Sequence, residues 1–211
     1  MSPLVFGPLR TRDTPAQSRA VKRVHVILQA TADMLATQSP QDLRTTAIAE
    51  HAGIPVSSIY RYFPTLNDVL HELYLQTASE LREKLFATFA QTDVQPGWRD
   101  RLGAVLAVQR EYLARHAYYR PLLLHFAVNR GPVASEDENH DELVTFLRDR
   151  WAAGLDGFNG GDPAIVANTT VQIALAMEDL IAAQKDRDAS RPYSQELVTM
   201  LEAYLSRYLS D

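Results

Sequence analysis

The chain contains no cysteine, which excludes a disulfide framework, a thiol nucleophile and a thiolate metal site. No apolar run is read as approaching the roughly 20 residues that cross a bilayer. The opening stretch MSPLVFGPLRTRD lacks a basic segment followed by a long apolar one, so no signal peptide is expected. These absences together predict a soluble, cytoplasmic protein. Catalytic glycine patterns are missing too: there is no G-x-S-x-G, Walker or dinucleotide motif. The six histidines (His25, His51, His71, His116, His125 and His140) show no zinc-like spacing with a carboxylate. His71 and Glu72 are adjacent and would point to different helix faces. The adjacent acids Glu178 and Asp179 would diverge likewise, and an interface salt bridge is their expected role. No catalytic residue, metal ligand or cofactor is therefore expected, and the chain is not read as an enzyme.

No segment shows the alternation of a strand, whereas apolar residues recur every three or four positions almost throughout. The expected fold is all-α, with about nine helices. Residues 1–13 read as a mobile arm. Thr14-Pro15-Ala16-Gln17 has capping-box spacing and opens a helix through Thr37. Thr65 can cap a helix of about 25 residues, in which Leu66, Leu70, Leu73, Thr77, Leu81, Leu85 and Phe89 recur on one face. Pro96-Gly97 ends it. Further helices are expected over 98–116, 118–129 (closed by Gly131-Pro132), 135–151, 163–186 and 194–209. GFNGGDP at 157–163 is the strongest loop signal.

The net charge of −5 is unevenly spread. Residues 1–64 hold seven basic side chains against four acids, a net +3, which leaves −8 for residues 65–211. A partner meets the local field rather than the total, so residues 1–64 suit a polyanion.

The stretch TTAIAEHAGIPVSSIYRYFPTLNDVL at 45–70 concentrates the signals. Leu43, Ile48 and Ala52 mark the buried face of a short helix that Thr45 or Thr46 can cap. Gly53 supplies the left-handed residue that ends it, and Pro55 opens the next. Ile59 and Phe63 point inward, leaving Ser57, Ser58, Tyr60, Arg61 and Tyr62 outside. Two helices joined by a tight glycine turn form a helix-turn-helix, whose second helix enters the major groove of DNA. The exposed hydroxyls can bond phosphates, and Arg61 can do so or reach a guanine edge. The alternative for these residues is a plain helix-packing cluster.

On Thr46, Ile48–Ala49, Ala52–Gly53, Ile59–Tyr60, Tyr62–Phe63 and Leu70, the chain resembles the tetracycline-repressor (TetR) family of bacterial regulators, over roughly Arg19 to Gln76. The resemblance implies a DNA-binding domain at 14–64 whose contacts come from Arg44, Thr45, Thr46, Pro55, Val56, Ser57, Ser58, Tyr60, Arg61 and Tyr62. Two residues depart from the family pattern. Ser57 stands where glycine is usual, and Leu66 where a phosphate-binding lysine is usual, which removes roughly one phosphate contact per subunit.

With the linking helix 65–90, residues 65–211 are expected to bind an effector and dimerise. The resemblance implies a palindromic operator bound by a homodimer through its last two helices. Ile165, Val166, Val171, Ile173, Leu175, Met177, Leu180 and Ile181 are too many to face one subunit's interior. The family's effector is small and mostly apolar, and it would release the DNA. Tyr74, Phe86, Phe89, Trp98, Tyr112, Tyr119, His125, Phe126, Trp151 and Phe158 are the aromatic and soft side chains of the region that would enclose it, with Tyr74, Trp98, Tyr112, Tyr119, His125, Phe126 and Trp151 the candidate walls of its site. Asn168, Gln172 and His125 are the candidates for orienting it. An all-helical ligand-binding or protein-interaction module without DNA binding is the alternative function.

Overall fold

The computed structural model describes residues 15–91, 97–127, 138–184 and 186–210. Within them lie nine α-helices and one 3₁₀ turn, with no strand among the described residues. The helices are α1 (Pro15–Leu35), α2 (Thr45–His51), α3 (Val56–Tyr60), α4 (Leu66–Ala90), α5 (Trp98–Arg115), α6 (Tyr119–Ala127), α7 (Glu138–Ala152), α8 (Pro163–Ala183) and α9 (Arg187–Leu205). The 3₁₀ turn is Leu155–Gly157. The arm at 1–13, the capping residue Thr14, Gly131-Pro132 and Ser135 lie outside the described residues.

The chain divides into two compact units, Met1–Thr77 with Leu113–His125, and Ala78–Tyr112 with Phe126–Asp211. The division falls inside α4, α5 and α6, and α4 itself is one uninterrupted run with no glycine or proline to break it. Its start is fixed by a reciprocal cap. The Thr65 amide donates to Asp68 Oδ2 at 2.8 Å, and the Asp68 amide donates to Thr65 Oγ1 at 3.2 Å.

In the first unit α1 packs on α2 and α2 on α3. Ile27, Leu28, Leu43, Ile48 and Ile59 are wholly inaccessible, and each such aliphatic side chain contributes about 1.5–3 kcal/mol when buried. In the second unit α8 packs between α7 and α9. The core there runs from Trp98, Leu102 and Leu106 through Leu147 and Trp151 to Val166, Val171, Leu201 and Leu205.

Three expectations need correction. Neither Thr45 nor Thr46 caps α2; Arg44 occupies the cap with extended backbone (φ −135°), and no side chain completes the cap. Second, α9 begins at Arg187, not 194, because the Asp186 carboxylate accepts the Ala189 amide at 2.9 Å. Pro192 then sits inside the helix, where it forgoes one backbone bond. Third, α8 is long and apolar enough by composition to span a bilayer. Its apolar residues are interrupted by neutral Asn, Thr and Gln, so no unbroken run is visible in the sequence. Val166, Ala167, Val171 and Met177 are nonetheless buried in the second unit.

Candidate nucleic-acid interface

The turn between α2 and α3 is built by backbone bonding alone. Gly53 has φ +64°. Its amide donates to the Glu50 carbonyl at 3.1 Å, and the Ile54 amide reaches back to Ala49 at 3.0 Å. This pair is the Schellman arrangement, which satisfies carbonyls that the end of α2 would leave open. Pro55 caps α3 with extended backbone, and the Ser58 amide bonds its carbonyl at 2.9 Å. Such a short helix is stable only because its neighbours hold it. Ile59, fully buried, and Phe63, 7% exposed, are its anchors.

What remains outside is polar. Tyr60 is 52% exposed, and Ser57, Arg61, Thr46 and Pro55 are exposed as well. Thr45, Val56, Ser58 and Tyr62 are half-buried. The Arg61 guanidinium lies 5.9 Å from the Tyr62 ring centre, which keeps its planar donors near the α3 surface. Arg44 is exposed but donates to the Gln41 and Leu43 carbonyls at 3.0 and 2.8 Å, so it braces the loop entering α2. Lys22 is exposed on α1. Burial lowers the pKa of His25 from its ordinary value, so at neutral pH it adds no charge to this unit. A groove of about 300 Å³ lined by Asp33, Met34, Gln38, Glu50 and His51 carries two carboxylates and is unsuited to a phosphate.

The structure places α2, the glycine turn and α3 as the sequence reading placed them. Residues 27–73 match the model of the bacterial regulatory proteins of the TetR family. The head of this chain is a TetR-family DNA-binding domain. That match concerns residues 27–73, the part of the chain that carries α2, the glycine turn and α3. Solved structures of similar fold include a TetR-family transcriptional regulator from Pectobacterium atrosepticum. That match has a TM-score of 0.73 and 18% identity, over 94% of this chain and 99% of that one. A TetR-family regulator from Streptomyces coelicolor is similar with a TM-score of 0.57 and 24% identity, over 89% and 99% of the two chains. SmeT, the repressor of the Stenotrophomonas maltophilia multidrug efflux pump SmeDEF, is similar with a TM-score of 0.65 and 16% identity, over 89% and 91%. No curated protein matches the sequence.

The residues nominated for an effector are divided between the two units. Tyr74, Tyr119 and His125 belong to the first unit, where the two tyrosine rings stack at 6.0 Å and His125 Nε2 lies 3.3 Å from Asn67 Oδ1. Trp98, Tyr112, Phe126 and Trp151 belong to the second. Trp98 and Trp151 fill its core, and the Trp151 indole N–H donates to Asp156 at 3.3 Å. Asn168 and Gln172 are solvent-exposed on α8. Glu178 accepts the Gln109 side-chain amide within the second unit.

A groove opens in the second unit, and of its lining only Phe86 stands among the aromatic residues singled out from the sequence. It has a volume of about 340 Å³ and is lined by Phe86, Glu142, Thr145 and Phe146. Phe86 and Phe146 stack at 4.9 Å, and Arg82 holds Glu142 by an ion pair at 3.0 Å. The spacing 82, 86, 89 on α4 and 142, 145, 146 on α7 is that of one helix face each, a signal that was present.

Proposed function

We propose that the chain is a homodimeric, ligand-responsive repressor that blocks a promoter by occupying a two-fold operator. One observation carries the dimer. Ile165, Gln172, Ala176 and Leu180 form an exposed stripe along α8, and Tyr193, Met200 and Ala203 form one along α9. Ile165 is 64% and Leu180 49% exposed. Water-facing apolar stripes on two neighbouring helices fit a symmetric pairing with a second copy. Gln172 lies within that seam. Two heads so joined can read half-sites about one DNA turn apart.

The division of labour follows. Residues 14–64 contact DNA through Thr46, Pro55, Ser57, Tyr60 and Arg61, with Thr45, Val56, Ser58 and Tyr62 at the margin and Arg44 bracing. Residues 65–211 dimerise and bind the effector. A small hydrophobic or aromatic molecule enters the groove beside Phe86 and Phe146, and through Phe86 it acts on α4, whose first turn follows the recognition helix. For release, the effector must bind the DNA-free arrangement more tightly, and DNA must weaken effector binding by the same factor. The role of SmeT as a repressor supports the sign of this regulation. Leu180→Arg tests the reading. It should give folded monomers with operator affinity reduced by about tenfold or more, since a lone head loses the second half-site. A dimer that still binds tightly would count against it.

A further inference from the structure

The turn between α7 and α8 is fastened on two sides to distant parts of the second unit. On its inner side Asp156, in the left-handed region at φ +59°, accepts from Arg101 Nη2 at 2.5 Å and from Arg150 Nε at 2.5 Å. On its outer side it meets the residues at the end of α9. The Ser210 hydroxyl donates to the Gly157 carbonyl at 3.0 Å, and the Asn159 amide donates to the Tyr208 carbonyl at 2.7 Å. The Phe158 ring lies between Trp151, at 5.9 Å, and Tyr208, at 6.4 Å, almost parallel to both. Tyr208 also meets Tyr204 edge-on at 5.3 Å. Two glycines admit this approach. A Cβ on Gly157 would collide with Ser210, and one on Gly161 would come within 2.9 Å of the Tyr208 ring.

We propose that residues 205–210 form a clamp that sets the α8 and α9 stripes in their pairing geometry, so that Tyr208 and Ser210 act as positioning residues for dimerisation. The inference rests on the dimer reading above. The clamp sits where both stripes end. Ile165 follows Gly161 by one helical turn, and Ala203 precedes Tyr208 by little more than one. Helix ends already held in place lose less freedom on association, so the clamp strengthens pairing by preorganisation.

Subunit exchange tests this directly. Two pools of full-length protein are labelled at the N-terminal amine with a donor or an acceptor dye, mixed, and followed by energy transfer. Wild-type pools should exchange slowly, Tyr208→Phe at the same rate, and Tyr208→Ala about tenfold faster with helix content unchanged. Exchange of Tyr208→Ala at the wild-type rate overturns the clamp and leaves the dimer standing. Wild-type protein that shows no transfer and sediments as a monomer overturns the dimer reading and the clamp with it. Should Tyr208→Ala lose its helix signal, Ser210→Ala removes only one hydrogen bond and should speed exchange about threefold. An unchanged rate in Ser210→Ala then overturns the proposal.

Discussion

The Ile54 amide donates to the Ala49 carbonyl across 3.0 Å, and this bond closes α2 only because Gly53 between them adopts φ +64°. The consequence is specific. No atom lies within 4 Å of a Cβ built on Gly53, so Gly53→Ala meets backbone strain and no collision. It should destabilise the protein by about 1–2 kcal/mol, measured by urea denaturation. Gly53→Asn should cost less, because asparagine tolerates the left-handed region. Equal stability of Gly53→Ala and the wild type would mean that the turn rearranges freely.

Tyr60 at the end of α3 and Arg61, which caps it, are exposed, while Ile59 and Phe63 hold the helix down. Alanine at either exposed position should lower operator affinity and leave thermal stability within about 0.5 kcal/mol of the wild type. For Arg61 the loss is about 1–3 kcal/mol if it reads a base, and the preference at that base relaxes. A Tyr60→Ala protein that unfolds would return Tyr60 to the packing cluster.

Leu66 is the first residue of α4, half-buried, where the family usually has a phosphate-binding lysine. Leu66→Lys should tighten DNA binding. Its log affinity should fall more steeply with log salt, by about 0.9 per subunit. An unchanged slope would show that this helix start does not face the DNA backbone.

Asp156 is the charged centre of the second unit. Burial alone would raise its pKa, but the hydrogen bond and charge of Arg150, together with Arg101, outweigh it and hold the carboxyl below the usual range. A carboxyl with a depressed folded-state pKa contributes its full stability above its unfolded value, about 3.9. That contribution is lost as pH falls through the lower folded value. Asp156→Asn should therefore unfold more readily at neutral pH, by about 3–5 kcal/mol, since it leaves two buried guanidinium groups without their anion. The difference from the wild type should shrink in acid. Parallel denaturation curves at neutral and low pH measure it, and a pH-independent difference would contradict the ion-pair account.

The head was legible because its signals are local. A glycine at the helix end, a proline at the next start and apolar residues one turn apart specify α2, the turn and α3 without reference to the remainder. The Thr65 cap and the stripe from Leu70 to Leu85 were equally local. The larger half yielded its helices, but which of its aromatic rings meet depends on helix packing at long sequence separation. Trp98 and Trp151 look like pocket walls in sequence and are core. Asn168 and Gln172 look like ligand contacts and are exposed. Phe86 and Phe146, which do line a groove, lie 60 residues apart on helices that no motif connects. The start of α9 was misread for a different reason: Pro192 signals a boundary, and the Asp186 cap six residues earlier prevailed.

The central claim is that the surface of α3 binds DNA as one half of a two-fold reader. The most direct test titrates the wild-type protein, across a range of salt concentrations, against a labelled fragment carrying the sequence upstream of its own gene. The account predicts a saturable complex of two subunits per site, with log affinity falling linearly as log salt rises and the Arg61→Ala protein binding more weakly throughout. A chain that gives no saturable complex on that fragment, or one indifferent both to salt and to the loss of Arg61, would contradict it.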